Sequence, residues 1–212
     1  MPKKMIQHIK THALQNNIPI ITDDVSDILT YVIQTYQFKN VLEIGTATSY
    51  SAHVMAQAGA EVLSIERNKE RFDIAQAFVE KSQLKSKIHL IYDDALTYVC
   101  PNQTFDLIFI DAAKSQYINF FNKYEQYLHP LGMIIVDNIY FHHLKPSQVK
   151  RHTRQLLKKL EKFKVFIQSH EQYVSKIMSY GDGTSISVRN IDRFHDLESK
   201  IDNYIKNKRE RE

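Results

Sequence analysis

Short, almost entirely apolar runs alternate with helical patterns along most of the chain, and this alternation constrains the fold more than any other feature. Five runs have the length of a strand: 40–44 (NVLEI), 61–65 (EVLSI), 87–92 (KIHLIY), 105–110 (FDLIFI) and 132–136 (GMIIV). Helical patterns lie between them at about 50–58, 68–83 and 115–128. Runs of this kind are typical of strands buried on both faces. The alternation therefore predicts an α/β fold with a doubly wound, mostly parallel sheet.

The end of the chain predicts an antiparallel closure of this sheet. The segments YVSKIMSY and TSISVRN flank a GDG turn, which is the pattern of a β-hairpin, so we expect seven strands in all. The segment 147–169 is ambiguous because KVFIQ has strand character, but its apolar residues at steps of three and four favour one long helix.

Helices are also expected at both ends of the chain. After an amphipathic N-terminal helix, Asp23 or Asp24 is expected to cap a helix over about 25–36. A last amphipathic helix carries one apolar stripe, formed by Ile191, Phe194, Leu197, Ile201 and Tyr204. We expect one domain over 1–190, with the N-terminal helices 1–36 included, and a C-terminal helical extension over 191–212.

The composition excludes several classes of protein. No apolar run approaches the roughly 20 residues needed to cross a bilayer, and the first residues lack the apolar segment of a secretory signal. The single Cys100 excludes an internal disulfide. These features predict a cytoplasmic protein without a membrane partner. The basic charge is concentrated in one segment. Residues 145–164 contain eight Lys or Arg and one Glu, a net charge of +7. Because the whole chain has a net charge of +4, the other residues together have a net charge of −3.

The loop after the first strand indicates a cofactor site. It reads EIGTATSYS and leads from the strand into a helical pattern. A dinucleotide-binding loop has the pattern G-x-G-x-x-G, whereas here the frame GTATSY keeps only Gly45. Glu43, two residues earlier, would lie badly beside a pyrophosphate but suits the cationic ammonium and sulfonium of S-adenosylmethionine. Glu66, 23 residues after Glu43, has the position of a carboxylate that binds ribose hydroxyls. The loop therefore favours S-adenosylmethionine over NAD(P).

Oxygen side chains end two further strands. Asp111 follows the fourth strand, and Asp137 and Asn138 follow the fifth. Carboxylate and amide oxygens without His or Cys favour a hard cation, so we expect Mg²⁺ or another divalent cation such as Mn²⁺ or Ca²⁺.

These motifs together resemble the class I S-adenosylmethionine-dependent, metal-dependent O-methyltransferases of the catechol and caffeoyl-CoA type. VLEIGTATSYSAHVMA is similar to that family's first cofactor motif, VLSIERN to its ribose motif and IYDDAL to its adenine-side loop. FIDAAKSQY and IIVDN resemble its metal motifs, and YGDGTSISVRN its closing hairpin. Among bacterial members, the chain is most similar to the tRNA wobble 5-hydroxyuridine methyltransferases. One departure is Ser49, where the family usually has a second loop glycine.

The resemblance implies a Rossmann-like methyltransferase fold and a set of site residues. Lys114 and Asp111 are implied as catalytic, with Lys114 a general base or a group that stabilises the oxyanion. The implied cofactor-binding residues are Ile21, Glu43, Gly45, Thr46, Ser51, Glu66, Arg67, Asp94, Ala95 and Asp111. The implied metal ligands are Asp111, Asp137 and Asn138. Tyr117 is a further candidate for lining the pocket. His142 and His143 are expected to line the pocket wall or to face solvent rather than to bind the metal.

The basic segment bears on the methyl acceptor. Lys150, Arg151, Arg154 and Lys158 lie on the helix that follows the metal-binding strand, where they could bind the phosphates of RNA. A flipped-out wobble base of a tRNA anticodon loop, stacked on Tyr140 or Phe141, would then enter the site. The reaction would convert 5-hydroxyuridine to 5-methoxyuridine. A small catechol-like or phenolic acceptor is the alternative.

Three hypotheses therefore remain from the sequence: a tRNA O-methyltransferase, a small-molecule O-methyltransferase with the same site, and an RNA-binding protein whose methyltransferase fold has lost activity. The presence of Asp111, Asp137, Asn138, Glu43 and Glu66 argues against the third. The family likeness and the terminal helices also predict a homodimer.

Overall fold

The computed structural model describes residues 2–140, 150–189, 192 and 196–210. The predicted positions Phe141, His142, His143, Ile191 and Phe194 lie outside this range. Seven helices and seven strands occur in the described residues. The helices are α1 (Pro2–Gln15), α2 (Asp23–Tyr36), α3 (Tyr50–Ala58), α4 (Lys69–Glu80), α5 (Tyr117–Tyr124), α6 (Arg151–Gln168) and α7 (Leu197–Arg209). The strands are β1 (Asn40–Ile44), β2 (Glu61–Glu66), β3 (Ile88–Tyr92), β4 (Phe105–Ile110), β5 (Leu128–Val136), β6 (Val174–Met178) and β7 (Thr184–Val188).

The strands form one sheet in the order β3-β2-β1-β4-β5-β7-β6. Strands β1 to β5 pair in parallel, and β7 runs antiparallel to both β5 and β6. The predicted seven-stranded, mostly parallel sheet with a closing hairpin is therefore confirmed. The strand order reverses between β1 and β4, and the crevice at such a switch point is where ligands bind in open α/β sheets.

Alternating side chains of the strands pack into two cores, one on each face of the sheet. On one face Val41, Leu107 and Ile135 pack with buried residues of α2, α3 and α7. On the other face Leu42 and Ile108 pack with buried residues of α5 and α6. Burial of both faces explains why the strands are almost wholly apolar. No helix in the described ranges is both long enough and apolar enough to cross a membrane.

Several element boundaries differ from the sequence-based prediction. Thr22, rather than Asp23 or Asp24, caps α2: its Oγ1 accepts a hydrogen bond from the Val25 amide at 3.4 Å. The two aspartates lie in the first turn, where their negative charge interacts favourably with the helix dipole. Strand β5 begins four residues before the predicted start, because its first residues pair with the beginning of β4.

The helix predicted over 115–128 is divided into three parts. Short 3₁₀ helices at Lys114–Gln116 and Glu125–Tyr127 flank α5. The long helix predicted over 147–169 is confirmed as α6 from Arg151 onwards, and 147–149 are not among the described residues. A helix also follows in the predicted C-terminal extension, as α7.

Candidate active site

A cavity of about 390 Å³ lies at the carboxyl ends of β1, β2 and β4. Seven predicted site residues line it: Gly45, Glu66, Arg67, Asp94, Ala95, Asp111 and Lys114. The structure thus brings the predicted cofactor loop, ribose motif and adenine-side loop together around one space. Ile21, Glu43, Thr46, Ser51, Asp137 and Asn138 are not among the residues that line this cavity.

Gly45 forms the floor of the cavity where β1 meets β4. Its φ is +101°, and a Cβ at this position would lie 2.1 Å from the carbonyl oxygen of Asp111. Glycine is therefore required for two independent reasons: its positive φ, and the close approach of the Asp111 backbone at the end of β4. The missing side chain leaves the backbone of the loop open to a ligand.

Glu66 lies at the carboxyl end of β2, where its carboxylate is held by backbone amides. Oε2 accepts a hydrogen bond from the amide of Ala47 at 2.9 Å, and Oε1 accepts one from Asn68 at 2.8 Å. Each carboxylate oxygen can accept a further hydrogen bond, so a ligand hydroxyl can still be bound. Arg67 and Asp94, which lie at the same end of the cavity, form an ion pair at 3.4 Å.

Glu43 lies behind the cavity wall. Its carboxylate is fully buried and accepts hydrogen bonds from the hydroxyls of Ser51 and Ser64, the latter at 2.5 Å. Thr46 extends this network through a 2.6 Å contact between its Oγ1 and the Ser64 hydroxyl. Burial raises the pKa of Glu43 to about 8. A cation near this carboxylate would favour its ionised form.

Ile21 also lies away from the cavity. Its side chain is buried in the hydrophobic core between the sheet and α2, whereas Pro19, two residues earlier in the same connector, lines the cavity.

The predicted metal ligands converge at the ends of β4 and β5, which are neighbours in the sheet. The amide nitrogen of Asn138 lies 3.1 Å from Oδ1 of Asp111 and 3.0 Å from Oδ2 of Asp137. Burial raises the pKa of Asp111, and burial together with the Asp111 charge raises that of Asp137 to about 7. A cation would compensate this clustered negative charge. Rotation of the amide would present its oxygen, so the donor set fits a hard divalent ion.

Lys114 lies three residues after Asp111 in the 3₁₀ helix that follows β4, and it lines the cavity. Its positive charge opposes the effect of burial on the pKa of both Asp111 and Asp137, and Asp111 lines the same cavity. The structure therefore brings the predicted base, the carboxylates and the cofactor cavity together.

Several residues that contribute to this site were not predicted, among them Asn68, Arg71 and Thr184. Asn68 and Arg71 line the cavity from the start of α4, and the Oγ1 of Thr184 donates a hydrogen bond to Oδ1 of Asp137 at 3.1 Å. Arg71 could have been identified from the sequence, because it lies only five residues after Glu66, the predicted ribose-binding carboxylate. Thr184 had no such signal, because its contact depends on the pairing of β7 with β5.

The candidate RNA-binding residues lie at the start of α6. Lys150, Arg151, Arg154 and Lys158 are all exposed, whereas the opposite stripe, which includes Leu160, Phe163 and Ile167, is buried. Helix α6 packs against the 3₁₀ helix that carries Lys114. The basic face therefore belongs to an element that packs beside the segment carrying Lys114.

The chain matches the family model described as O-methyltransferase over residues 3–190. An Arabidopsis thaliana protein with the provisional name caffeoyl-CoA O-methyltransferase is 28% identical over 176 residues, 78% of this chain and 76% of the relative. Caffeoyl-CoA O-methyltransferase 2 of Petunia hybrida is 29% identical over 132 residues, 58% of this chain and 54% of the relative.

Solved structures agree with the fold. A Staphylococcus aureus protein provisionally named as a caffeoyl-CoA O-methyltransferase has a TM-score of 0.83 and 29% identity, covering 87% of this chain and 92% of that chain. An O-methyltransferase from Bacillus cereus, crystallised with SAH, has a TM-score of 0.75 and 21% identity, covering 88% of this chain and 91% of that one. At the latter identity the likeness concerns the fold alone. The predicted Rossmann-like methyltransferase fold is confirmed.

Proposed function

Since the chain belongs to the O-methyltransferase family, and is thus an S-adenosylmethionine-dependent O-methyltransferase, we propose that it methylates a ring hydroxyl held at a divalent metal site. The observation that carries this proposal is that the Asn138 amide lies within hydrogen-bond distance of both Asp111 and Asp137, and that Asp111 also lines the donor cavity. Their oxygen-only donor set favours Mg²⁺.

The donor would occupy the cavity between Gly45 and Asp111. Glu66 has free acceptor capacity for the ribose hydroxyls, while Arg67, Asp94 and Ala95 surround the adenine end. The open backbone at Gly45 admits the methionine portion. Glu43 does not line the cavity, so it would influence the donor indirectly. Its hydrogen bonds would position Ser51 and, through Ser64, Thr46. A cationic donor would also favour the ionised form of Glu43, whose negative charge would then attract the donor.

The chemistry needs an acceptor oxygen that carries negative charge and lies in line with the methyl group. When bound, the metal would act as a Lewis acid that lowers the pKa of the acceptor hydroxyl and holds the acceptor oxygens in position. Asp111, Asp137 and Asn138 would hold that ion, and Lys114 would take the acceptor proton or stabilise the oxyanion. No covalent enzyme intermediate is needed, so orientation contributes much of the rate.

For the acceptor we propose 5-hydroxyuridine at the tRNA wobble position, converted to 5-methoxyuridine. Four basic side chains at the start of α6 are exposed on an element that packs beside the Lys114 segment. Such a face suits the phosphates of an anticodon loop. Of the two aromatic candidates for stacking on the base, Tyr140 lies within the described residues, and its ring centroid is 4.8 Å from the Lys164 amine.

A small phenol or catechol is the second candidate acceptor. The specific observation in its favour is that two relatives carry the name caffeoyl-CoA O-methyltransferase, one of them provisionally. The metal site would serve a vicinal diol in the same way, since both acceptors present two neighbouring oxygens.

The test is mass spectrometry of nucleosides from the tRNA of a strain that lacks the gene. The tRNA proposal predicts loss of 5-methoxyuridine and accumulation of 5-hydroxyuridine, reversed by the gene and not by its Asp137→Ala form. Unchanged 5-methoxyuridine, together with turnover of catechols by the purified protein, would instead establish the small-molecule function.

A further inference from the structure

Helix α5 carries two tyrosines that lie seven residues, or two turns, apart and are therefore close to the same face. Tyr117 and Tyr124 are both fully buried. The hydroxyl of Tyr117 donates a hydrogen bond to the carbonyl of Asp137 at 2.8 Å, and that of Tyr124 donates one to the carbonyl of Ala95 at 2.7 Å. One helix thus contacts the metal end and the cofactor end of the site. Tyr117 was a candidate for lining the pocket, but it is not among the cavity residues.

At the metal end, the hydrogen bond acts on the peptide that joins Asp137 to Asn138. Asn138 has a φ of +63°, a left-handed conformation that few residues other than glycine adopt. This conformation directs its amide towards both carboxylates. The Tyr117 hydroxyl fixes the preceding carbonyl, while Thr184 fixes one oxygen of the Asp137 side chain. The orientation of two ligands is thereby set before an ion arrives.

At the cofactor end, the carbonyl of Ala95 connects α5 to the loop that carries Asp94 and Ala95. The Ala95 carbonyl accepts hydrogen bonds from the Tyr124 hydroxyl and from the Lys123 amine, the latter at 2.9 Å. Both donors belong to α5. Because Ala95 lines the cavity, these two bonds set the position of the cavity wall relative to the helix.

Aromatic packing holds the helix in place between these two ends. Tyr117 contacts the ring of Phe163 in α6 edge-on, with 5.4 Å between centroids, and Phe121 contacts the rings of Phe166 and Tyr173 at 5.4 and 5.1 Å. In a closely packed interior, a ring held in this way has few alternative rotamers. The Tyr117 hydroxyl therefore cannot leave its carbonyl without disturbing the core, and the complete burial of Tyr124 restricts its ring as well.

We propose that α5 is a brace with two separable ends, in which Tyr117 is a positioning residue for the metal ligands and Tyr124 one for the cofactor loop. The inference rests on the proposed function, because it assigns the Asp137 end to a metal. Neither tyrosine would touch the reacting atoms. Each would act through a backbone carbonyl, so removing one hydroxyl would weaken one ligand and spare the other.

The experiment compares Tyr117→Phe with Tyr124→Phe in the full chain, using calorimetric titration with S-adenosylmethionine and, with the product S-adenosylhomocysteine saturating, with Mg²⁺. Loss of a partner that orients metal ligands lowers metal affinity by about 10- to 100-fold, so Tyr117→Phe should do this and keep wild-type donor affinity. Tyr124→Phe should weaken donor binding by about fivefold, the effect of one buried hydrogen bond, and keep wild-type Mg²⁺ affinity.

Tyr127→Phe is the matched control, since Tyr127 lies in the 3₁₀ helix that follows α5 and is not among the residues that line the cavity. It should leave both affinities unchanged. Equal effects of Tyr117→Phe and Tyr124→Phe on both ligands, or no effect of either, would overturn the brace. If Tyr117→Phe does not fold, the Tyr124→Phe result decides alone, because a shared loss or no loss contradicts separable ends. Wild-type protein that binds the donor but no Mg²⁺ would instead overturn the proposed metal site.

Discussion

Glu43 shows how the surroundings of one residue determine its charge. Its carboxyl group is buried at the end of β1 with two serine hydroxyls as partners, and burial raises its pKa from 4.5 to about 8. A carboxyl with a higher pKa in the folded state binds its proton more tightly when folded. Its contribution to stability is therefore complete below about pH 4.5 and is lost as the pH rises through about 8.

Replacing Glu43 by Gln removes this pH dependence. Between pH 5 and pH 9, the free energy of unfolding of the donor-free variant should rise relative to that of wild type by about 2–4 kcal/mol, as measured by urea denaturation. Glu61→Gln, at an exposed position on β2, is the control and should show no such change. A difference between Glu43→Gln and wild type that stays constant over this pH range would contradict the burial argument.

A comparison of Gly45 with Gly59 distinguishes the two costs of adding a side chain, which are backbone strain and steric overlap with neighbouring atoms. Both have positive φ, but a Cβ on Gly45 would lie 2.1 Å from the Asp111 carbonyl oxygen, whereas one on Gly59 would meet no atom within 4 Å. Gly59→Ala should cost about 1–3 kcal/mol of stability through backbone strain and retain donor affinity. Gly45→Ala should cost more and lose donor affinity by at least about tenfold, since Asp111 must move. Equal effects of the two variants in denaturation and calorimetry would show that close approach is unimportant at Gly45.

At the scale of the element, α6 combines a buried stripe with an exposed basic face. Its apolar side packs on α5 and β6, so the helix forms irrespective of its basic side chains. Like charges spaced by four residues repel weakly, so this basic face does not stabilise the helix, and a role in binding a partner would account for it.

Reversing the charge of Lys150, Arg154 and Lys158 to Glu should lower tRNA methylation by at least about tenfold and flatten its salt dependence. Catechol turnover should be unchanged, because the metal site is untouched. Reversal of three exposed lysines elsewhere, Lys81, Lys85 and Lys206, is the control for net charge. If tRNA methylation by the α6 variant equals that of the control variant, the α6 face is not the RNA-binding surface.

For the whole molecule, local pattern predicted the fold, whereas contacts distant in sequence escaped prediction. Apolar runs specified strands and their burial, and the position of Asp111 and Asp137 at neighbouring strand ends followed from the parallel sheet. The hidden position of Glu43 did not, because the network with Ser51 and Ser64 joins residues up to 21 positions apart. Likewise the bond from Tyr117 to Asp137 spans 20 residues, and a tyrosine in a helix gives no sign of its partner.

The assembly state is also a property of the whole molecule. The terminal helices α1 and α7 lie in the same helical layer, and we expect the homodimer predicted from the sequence. Light scattering after gel filtration should give twice the chain mass of 24.9 kDa. A mass equal to that of one chain over the micromolar range would contradict this expectation.

The central claim is that a divalent ion, held by oxygen side chains beside the donor cavity, makes the acceptor hydroxyl reactive. The most direct measurement is methyl transfer from labelled S-adenosylmethionine, to tRNA bearing 5-hydroxyuridine and to catechol, by protein stripped with EDTA. The account predicts that turnover falls to background and returns when Mg²⁺ is added in excess, while Asp137→Ala binds the donor and stays inactive. Full turnover in the chelator would contradict it.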